Sequence, residues 1–271
     1  MTLDEFVARR EAERAWAYAN GYNNGDPATN GEYACLDALL AEADVFVDVG
    51  ANEGLFCGRA AARDPGLGIL AFEPNPAHHA AIAERLAGAG RIEGAALSDR
   101  PGSATLHVHP THHATASLTD RPRMSPRFRA QMTALEVPVR RLDDYAGDLA
   151  ARRLLVKIDA EGFEFPVIRG AERLLDQTSA CAVMFEHSFA WLETGESLLA
   201  CFQAFDALGF EFFRILPIGL EHVRFFSNDM ERAQYCNYVA IKGFEFLARP
   251  ALPLPTVYGE TTLRLFSSPR A

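Results

Sequence analysis

Apolar and polar positions change rhythm several times along the chain. Over residues 3–19, Leu3, Phe6, Val7, Arg10 and Arg14 recur at helical spacing, which predicts a helix. The Asn, Gly and Pro of "NGYNNGDPATNGEY" interrupt it with a loop, and a short helix is expected from about Tyr33 to Leu40. A regular alternation then begins. "DVFVDVG" reads as a strand and "EGLFCGRAAAR" as a helix. "LGILAFEP" reads as a second strand. "PAHHAAIAERLAGAG" is a helix that opens at Pro76 and closes in glycines. "RIEGAALSD" is a third strand.

Residues 100–150 break this rhythm. "SATLHVHP" and "LEVPVRRLDDY" alternate like strands around a basic, loop-like "TDRPRMSPRFRAQM", so an inserted hairpin region is expected. The alternation resumes with "RRLLVKIDAEG" as a strand, "FPVIRGAERLLDQ" as a helix and "ACAVMFEHS" as a fifth strand. "GESLLACFQAFDALG" reads as a helix, with "FEFFRIL" and "QYCNYVAIK" as late strands. Strands and helices in turn imply an α/β fold with a mostly parallel sheet. The expected organisation is an N-terminal helical extension over 1–43, a main domain over 44–245 with its insertion at about 100–150, and a tail over 246–271. The proline-rich tail is expected to wrap the surface or to stay partly disordered.

Open α/β sheets bind ligands beyond the carboxyl ends of their strands. Strand one ends in Asp48, Gly50, Asn52 and Gly54, and strand two in Glu73 and Pro74. Strand three ends in Ser98 and Asp99, strand four in Asp159, Glu161 and Gly162, and strand five in Glu186 and His187. The dinucleotide fingerprint G-x-G-x-x-G fails after Gly50, because Asn52 and Leu55 stand where its later glycines belong. No phosphate-loop Gly-Lys-Ser/Thr follows. A pyrophosphate would also meet Asp48 and Glu53, and like charges repel. S-adenosylmethionine suits such a loop, since its sulfonium and ammonium are cationic and its carboxylate can use the N–H groups of the following helix. Gly50 allows close approach to its methionine part. Glu73, 23 residues after Gly50, suits the acid that receives ribose hydroxyls, and Ser98 and Asp99 are expected at the adenine edge.

Composition narrows the partners. The 271 residues hold 36 acids against 26 Lys plus Arg, a net charge of −10, which argues against nucleic acid and anionic membranes. Cys35, Cys57, Cys181, Cys201 and Cys236 are odd in number and form no C-x-x-C pair, so reduced thiols in a cytoplasmic protein are expected. The charged "MTLDEFVARREAERAWAYA" is no signal peptide, and no segment has the length and apolarity of a membrane span.

The series "VFVDVGANEG", "AFEPNP", "ALSDRPGSATLHV", "VPVRRLDDY" and "LLVKIDAEGFEFPVIRGAERLL", with "NGEY" upstream, resembles the motifs of FkbM-type methyltransferases over roughly residues 30–190. The K-I-D-x-E-G motif is the most specific part. The resemblance implies a class I, Rossmann-like methyltransferase sheet with a late antiparallel strand. It also implies O-methylation by S-adenosylmethionine; members of the family methylate hydroxyls of sugars, polyketides and other natural products, so the resemblance does not fix the substrate. Glu32 and Tyr33 closing over the methionine end of the cofactor rest mainly on this resemblance. N-methylation, a nicotinamide-dependent dehydrogenase and a non-catalytic binding protein of the same fold are the alternatives.

A base for the hydroxyl proton is expected at the ends of strands four and five. His187 or Asp159 is the candidate base, with Glu161 positioning substrate, and Lys157 shares a strand face with Asp159 and suits a support pair. Asp159, Glu161, Glu186 and His187 also offer the donors of a divalent-metal site, a reading that no spacing requires. In "HVHPTHH", His107 and His109 alternate onto one face and suit a metal, a substrate contact or a plain surface, whereas His78 and His79 are expected to face solvent. Arg121, Arg123, Arg127 and Arg129 are either a solvated face or a basic lid for an anionic acceptor. The N-terminal helix and the tail are the candidate contacts of a homodimer or else a cover for the sheet.

Overall fold

The computed structural model describes residues 3–231, 235–256 and 259–266. The chain begins with α1 (Leu3–Ala19), α2 (Glu32–Leu40), β1 (Val45–Val49), α3 (Leu55–Arg63), β2 (Gly68–Phe72), α4 (His79–Leu86) and β3 (Gly90–Glu93). It then leaves the main sheet as β4 (Ala96–Leu97), β5 (Gly102–Val108), the one-turn α5 (Pro126–Arg129) and β6 (Thr133–Arg140). It returns through α6 (Ala146–Leu149), β7 (Leu154–Ile158), α7 (Glu164–Arg169), α8 (Glu172–Gln177) and β8 (Cys181–His187). The last part comprises α9 (Trp191–Thr194), α10 (Leu198–Ala207), β9 (Glu211–Leu216), β10 (Gly219–His222), β11 (Cys236–Lys242), β12 (Leu252–Thr256) and β13 (Gly259–Leu265).

Ten strands form one sheet in the order β12-β13-β10-β9-β11-β8-β7-β1-β2-β3. From β3 to β8 neighbouring strands are parallel. From β11 onward every pairing is antiparallel, so the antiparallel border reaches well beyond one late strand. Strand order reverses at β1, between β2 and β7, and the crevice beyond such a switch point is where open α/β sheets bind ligands. The insertion builds a separate three-stranded sheet, β4-β6-β5.

Side chains alternate across a strand, and this parity sorts the core. Val47 and Val49 of β1 and Leu154, Val156 and Ile158 of β7 pack on one face with Val167, Leu174 and Phe205 of the helices. Phe46 and Leu155 pack on the other face with Cys35 and Leu36 of α2 and Cys57 and Ala60 of α3. Each such buried aliphatic or aromatic side chain contributes roughly 1.5–3 kcal/mol. Asp48 and Lys157, paired in register, share the parity of Phe46 and Leu155 and therefore point beneath α2 and α3.

Three sequence expectations change. The strand expected over 91–99 is two strands, β3 on the main sheet and β4 on the small one. The helix expected over 165–177 breaks at Gly170, where a side-chain carbon would lie 2.3 Å from the Ser98 carbonyl oxygen. Asp143 then accepts the N–H of Leu174 at 2.8 Å and starts α8. Within the tail, β12 and β13 form a hairpin that extends the sheet past β10. Tail residues 257–258 and 267–271, and Gln234 at the head of the expected late strand, lie outside the described residues.

Candidate active site

The turn after β1 is built by backbone. Gly50 and Ala51 donate their N–H groups to the Phe72 carbonyl at 2.9 and 3.1 Å. Gly50 has φ +76°, and a Cβ there would stand 1.9 Å from the Asp159 carbonyl oxygen. Only glycine lets the ends of β1 and β7 come this close. Asn52 follows in the left-handed region, φ +49°, and donates its N–H to Glu73 Oε2 at 2.7 Å. Glu73 Oε1 receives the Asn75 N–H at 2.8 Å. Burial raises the Glu73 pKa, opposed by those two amides. Each carboxylate oxygen spends one lone pair on the backbone and keeps another for a ligand.

The turn after β7 is built by carboxylates. Lys157 Nζ lies 3.0 Å from Asp159 Oδ2, the support pair expected from their spacing, and 4.2 Å above the centre of the Phe56 ring. Burial disfavours the ammonium, but Asp159, Asp48 and Glu32 outweigh it and hold the Lys157 pKa above its ordinary value. Glu161 is also left-handed, φ +51°. Burial and the charge of Asp159 raise its carboxyl to about 7, against the pull of Arg121. Behind the turn, Glu164 accepts the N–H groups of Ala160 at 2.8 Å and Gly162 at 3.0 Å. Burial pushes Glu164 up to about 8.

These turns flank a cavity of about 260 Å³. Glu73, Pro74, His78 and Leu97 line one end, and Asp159, Glu161, Glu186 and Tyr235 the other. Residues 113, 114 and 116–118 of the insertion close the side. The Ser117 hydroxyl donates to the Glu161 carbonyl at 2.8 Å, and His113 packs edge-on against His78 at 5.3 Å. Among the described lining residues there is no lysine or arginine. A cationic ligand carrying ribose hydroxyls fits this lining and a pyrophosphate does not. Asn52 Oδ1 is buried against the cavity without a protein partner, so an acceptor is free for a ligand N–H or O–H. S-adenosylmethionine meets these terms.

Of the residues singled out from sequence, Gly50, Asn52, Glu73, Pro74, Asp159 and Glu161 line this cavity. Others do not. Asp48 points beneath α3, where its Oδ2 accepts the Cys57 thiol at 3.0 Å. Gly54 caps α3. Ser98 is buried and donates to Asp99 at 3.2 Å, while Asp99 pairs with Arg169 at 2.9 Å. Glu32 is buried behind the floor, bonded to Asn30 at 2.6 Å, in a crevice it shares with Lys157, Asp159 and Glu186.

His187 is the main correction. Parity turns it to the opposite face of β8 from Glu186, against Trp191 at 5.0 Å and Tyr238 at 6.4 Å. Burial lowers its pKa to about 4. It belongs to the core, and Glu186 belongs to the cavity. Burial and neighbouring carboxylates, Asp159 first, raise Glu186 well above the usual range. The metal quartet is thereby divided by the sheet, and among the described residues no three His, Cys, Asp or Glu side chains gather to hold an ion. His109 stacks on Phe128 at 4.3 Å and is 2% exposed, so its face of the strand is covered. His78 is buried and so does not face solvent as expected, and the half-buried His79 brings its Nε2 to the Glu73 carbonyl at 2.7 Å.

The arginine run is not a free basic lid over this cavity. Arg121 is buried between Glu161 at 2.9 Å and Glu193 at 3.0 Å, Arg129 pairs with Asp120 at 2.7 Å, and none of the four arginines lines the cavity. Lining residues that the sequence did not single out for cofactor or catalysis include His113, Ser117, Phe163, Glu186 and Tyr235. Only Glu186, at a strand end, carried a signal for its place.

The model of the methyltransferase FkbM domain matches residues 48–212. The chain is 30% identical over 158 residues to Methyltransferase 1 of Beauveria bassiana (strain ARSEF 2860), covering 51% of this chain and 63% of that protein. It is 33% identical over 159 residues to the 31-O-demethyl-FK506 methyltransferase FkbM of Streptomyces tacrolimicus, covering 49% and 61%. The chain thus spans about three-fifths of the length of these curated relatives. Among solved structures, a putative O-methyltransferase from Klebsiella pneumoniae is similar at 12% identity and TM-score 0.43, over 83% of this chain and 85% of that one. No described helix is long and apolar enough to cross a membrane.

Proposed function

The chain belongs to the FkbM methyltransferase family, and from that premise we propose that it methylates a hydroxyl of a small, uncharged acceptor such as a sugar or another natural product. S-adenosylmethionine is the methyl donor. The observation that carries this reading is the cavity at the switch point, with Glu73 at one end, carboxylates at the other and no lysine or arginine in the described lining. An anionic acceptor would have to approach Asp159, Glu161 and Glu186 with no lysine or arginine among the described lining residues, so a neutral hydroxyl fits better. The Streptomyces relative is a 31-O-demethyl-FK506 methyltransferase, which supports oxygen as the receiving atom.

Bound in the cavity, the cofactor supplies an electrophilic methyl group on a sulfonium sulfur. Glu73 would hold the cofactor's ribose hydroxyls and the Gly50–Asn52 turn its methionine part. Glu161 is the base we favour for the hydroxyl proton. It lines the cavity, and its carboxyl is poised at about 7, near the pH at which a base works best. Asp159 is held by Lys157 at 3.0 Å and fixes the acceptor beside it. Alignment of acceptor and donor is worth up to roughly 7–11 kcal/mol, and a base roughly 10²–10⁴-fold more. The five cysteines are buried free thiols, which supports a reducing, cytoplasmic setting.

Titration calorimetry with S-adenosylhomocysteine and NAD tests the cofactor, with binding expected only for the first. Mass spectrometry of a panel of neutral sugars, polyketide alcohols, carboxylated analogues and amines tests the acceptor. Methyl gain on neutral alcohols is expected. Faster reaction of amines or of the carboxylated set overturns the reading.

A further inference from the structure

We propose that Arg121 is a positioning residue for this site: reaching in from the insertion, it grips the carboxylate of Glu161 and fixes it against the cavity while anchoring the insertion as the cavity wall. This rests on the reading of the cavity as the methyl-transfer site. Arg121 is 1% exposed. Its Nη1 donates to Glu161 Oε2 at 2.9 Å, and its Nε lies 3.0 Å from Glu193 Oε2. Glu193 is held in turn by the Arg123 N–H at 3.0 Å, and the Phe189 ring lies 5.5 Å under the guanidinium. A second tie from the same strap reaches the same residue, because Ser117 Oγ donates to the Glu161 carbonyl at 2.8 Å.

Two features make this more than incidental pairing. Arg121 and Glu161 both sit in the left-handed region, at φ +52° and +51°, and neither is glycine. Such backbone persists only where its surroundings over-determine it. A guanidinium is also expensive to bury unless its carboxylate partners are well placed. Glu161 faces charge from every neighbouring element: Lys157 from β7, Asp159 from the turn after it, Glu164 from α7 and Arg121 from the insertion, with Asp159 and Arg121 most strongly. Glu186 on β8 and Glu193 beyond Arg121 complete the acidic surround. Among the described residues Arg121 is the cation that touches Glu161, so without it this carboxylate has no described ion-pair partner in an acidic cavity.

The test is direct titration of Glu161 by NMR of glutamate labelled at the side-chain carboxyl carbon, its signal assigned by loss in Glu161→Gln. No acceptor is needed. Arg121→Gln should move the Glu161 midpoint up by roughly 1–3 pH units, the effect of losing an opposite charge at contact distance. Arg121→Lys keeps one charge but cannot bridge both carboxylates, and should fall between. Glu193→Gln leaves the guanidinium to Glu161 alone and should move the midpoint down. A packing role would lower the melting temperature in all three and leave the midpoint where it is, which overturns the proposal. If Arg121→Gln does not fold, Arg121→Lys and Glu193→Gln decide by their opposite directions. Inactivity on every hydroxyl acceptor would sink the functional reading and leave this titration unaffected.

Discussion

The Asn52 N–H meets the Glu73 carboxylate at 2.7 Å, so the end of β2 holds the turn that follows β1. One side chain both shapes the turn and faces the cavity. Replacing it costs the cofactor site twice. Glu73→Gln keeps the size of the side chain but leaves one acceptor oxygen for two backbone N–H groups, those of Asn52 and Asn75, and it removes the charge that strengthens hydrogen bonds to ribose, a loss of roughly 1.5–3 kcal/mol. S-adenosylhomocysteine should bind roughly ten- to a hundredfold more weakly by calorimetry, and the melting temperature of the free protein should fall as one turn N–H loses its acceptor.

Gly50→Ala tests the closeness of β1 and β7. The added carbon would lie 1.9 Å from the Asp159 carbonyl oxygen, at a φ of +76° that alanine avoids. A destabilisation on the order of 3 kcal/mol is expected from strain at such a position, read as a lower urea midpoint with an unchanged slope.

Glu164 sets a pH dependence of stability with a definite sign. Its folded pKa, about 8, lies above the ordinary 4.5. The folded protein therefore holds this proton more tightly than the unfolded chain. The stabilisation is complete below about 4.5 and is lost as pH rises through about 8. Glu164→Gln removes this proton. Its melting temperature relative to the parent should rise between pH 5 and pH 8, and a difference that stays flat would contradict the assignment.

His187 works in the opposite direction. Its pKa is lowered from 6.5 to about 4, so the folded state favours the neutral ring. Its stabilisation is present above 6.5 and is lost as pH falls toward 4. His187→Phe keeps an aromatic ring beside Trp191 and Tyr238, and should flatten the acid side of the stability curve. Because the ring lies away from the cavity, affinity for S-adenosylhomocysteine should match the parent protein. A large loss of affinity would return His187 to the active site.

Much of this was legible in the chain. The alternation of strands and helices, the turn after Val49, the acid at Glu73 and the extra strands over 100–150 follow from local pattern, and the structure has them. What stayed hidden depends on parity and distance. Glu186 and His187 are neighbours in a strand whose two faces are both buried, so nothing local says which of them meets the cavity. Arg121 reads as one more surface arginine because its partners, Glu161 and Glu193, lie 40 and 72 residues away in sequence. Glu164 looks like an ordinary acid in a first helical turn, yet it serves the loop before it. The tail escaped notice because prolines argue against a strand, and β12 tolerates them as the last strand of its sheet.

That last strand has a consequence for how molecules of this chain meet one another. A sheet border is a template on which another chain can pair. Two of the five residues of "LPLPT" have no N–H to offer an incoming strand. At the far border stands β3, only four residues long. The long sheet thus ends in strands that are poor hosts on both sides, and it protects itself from growing into an aggregate.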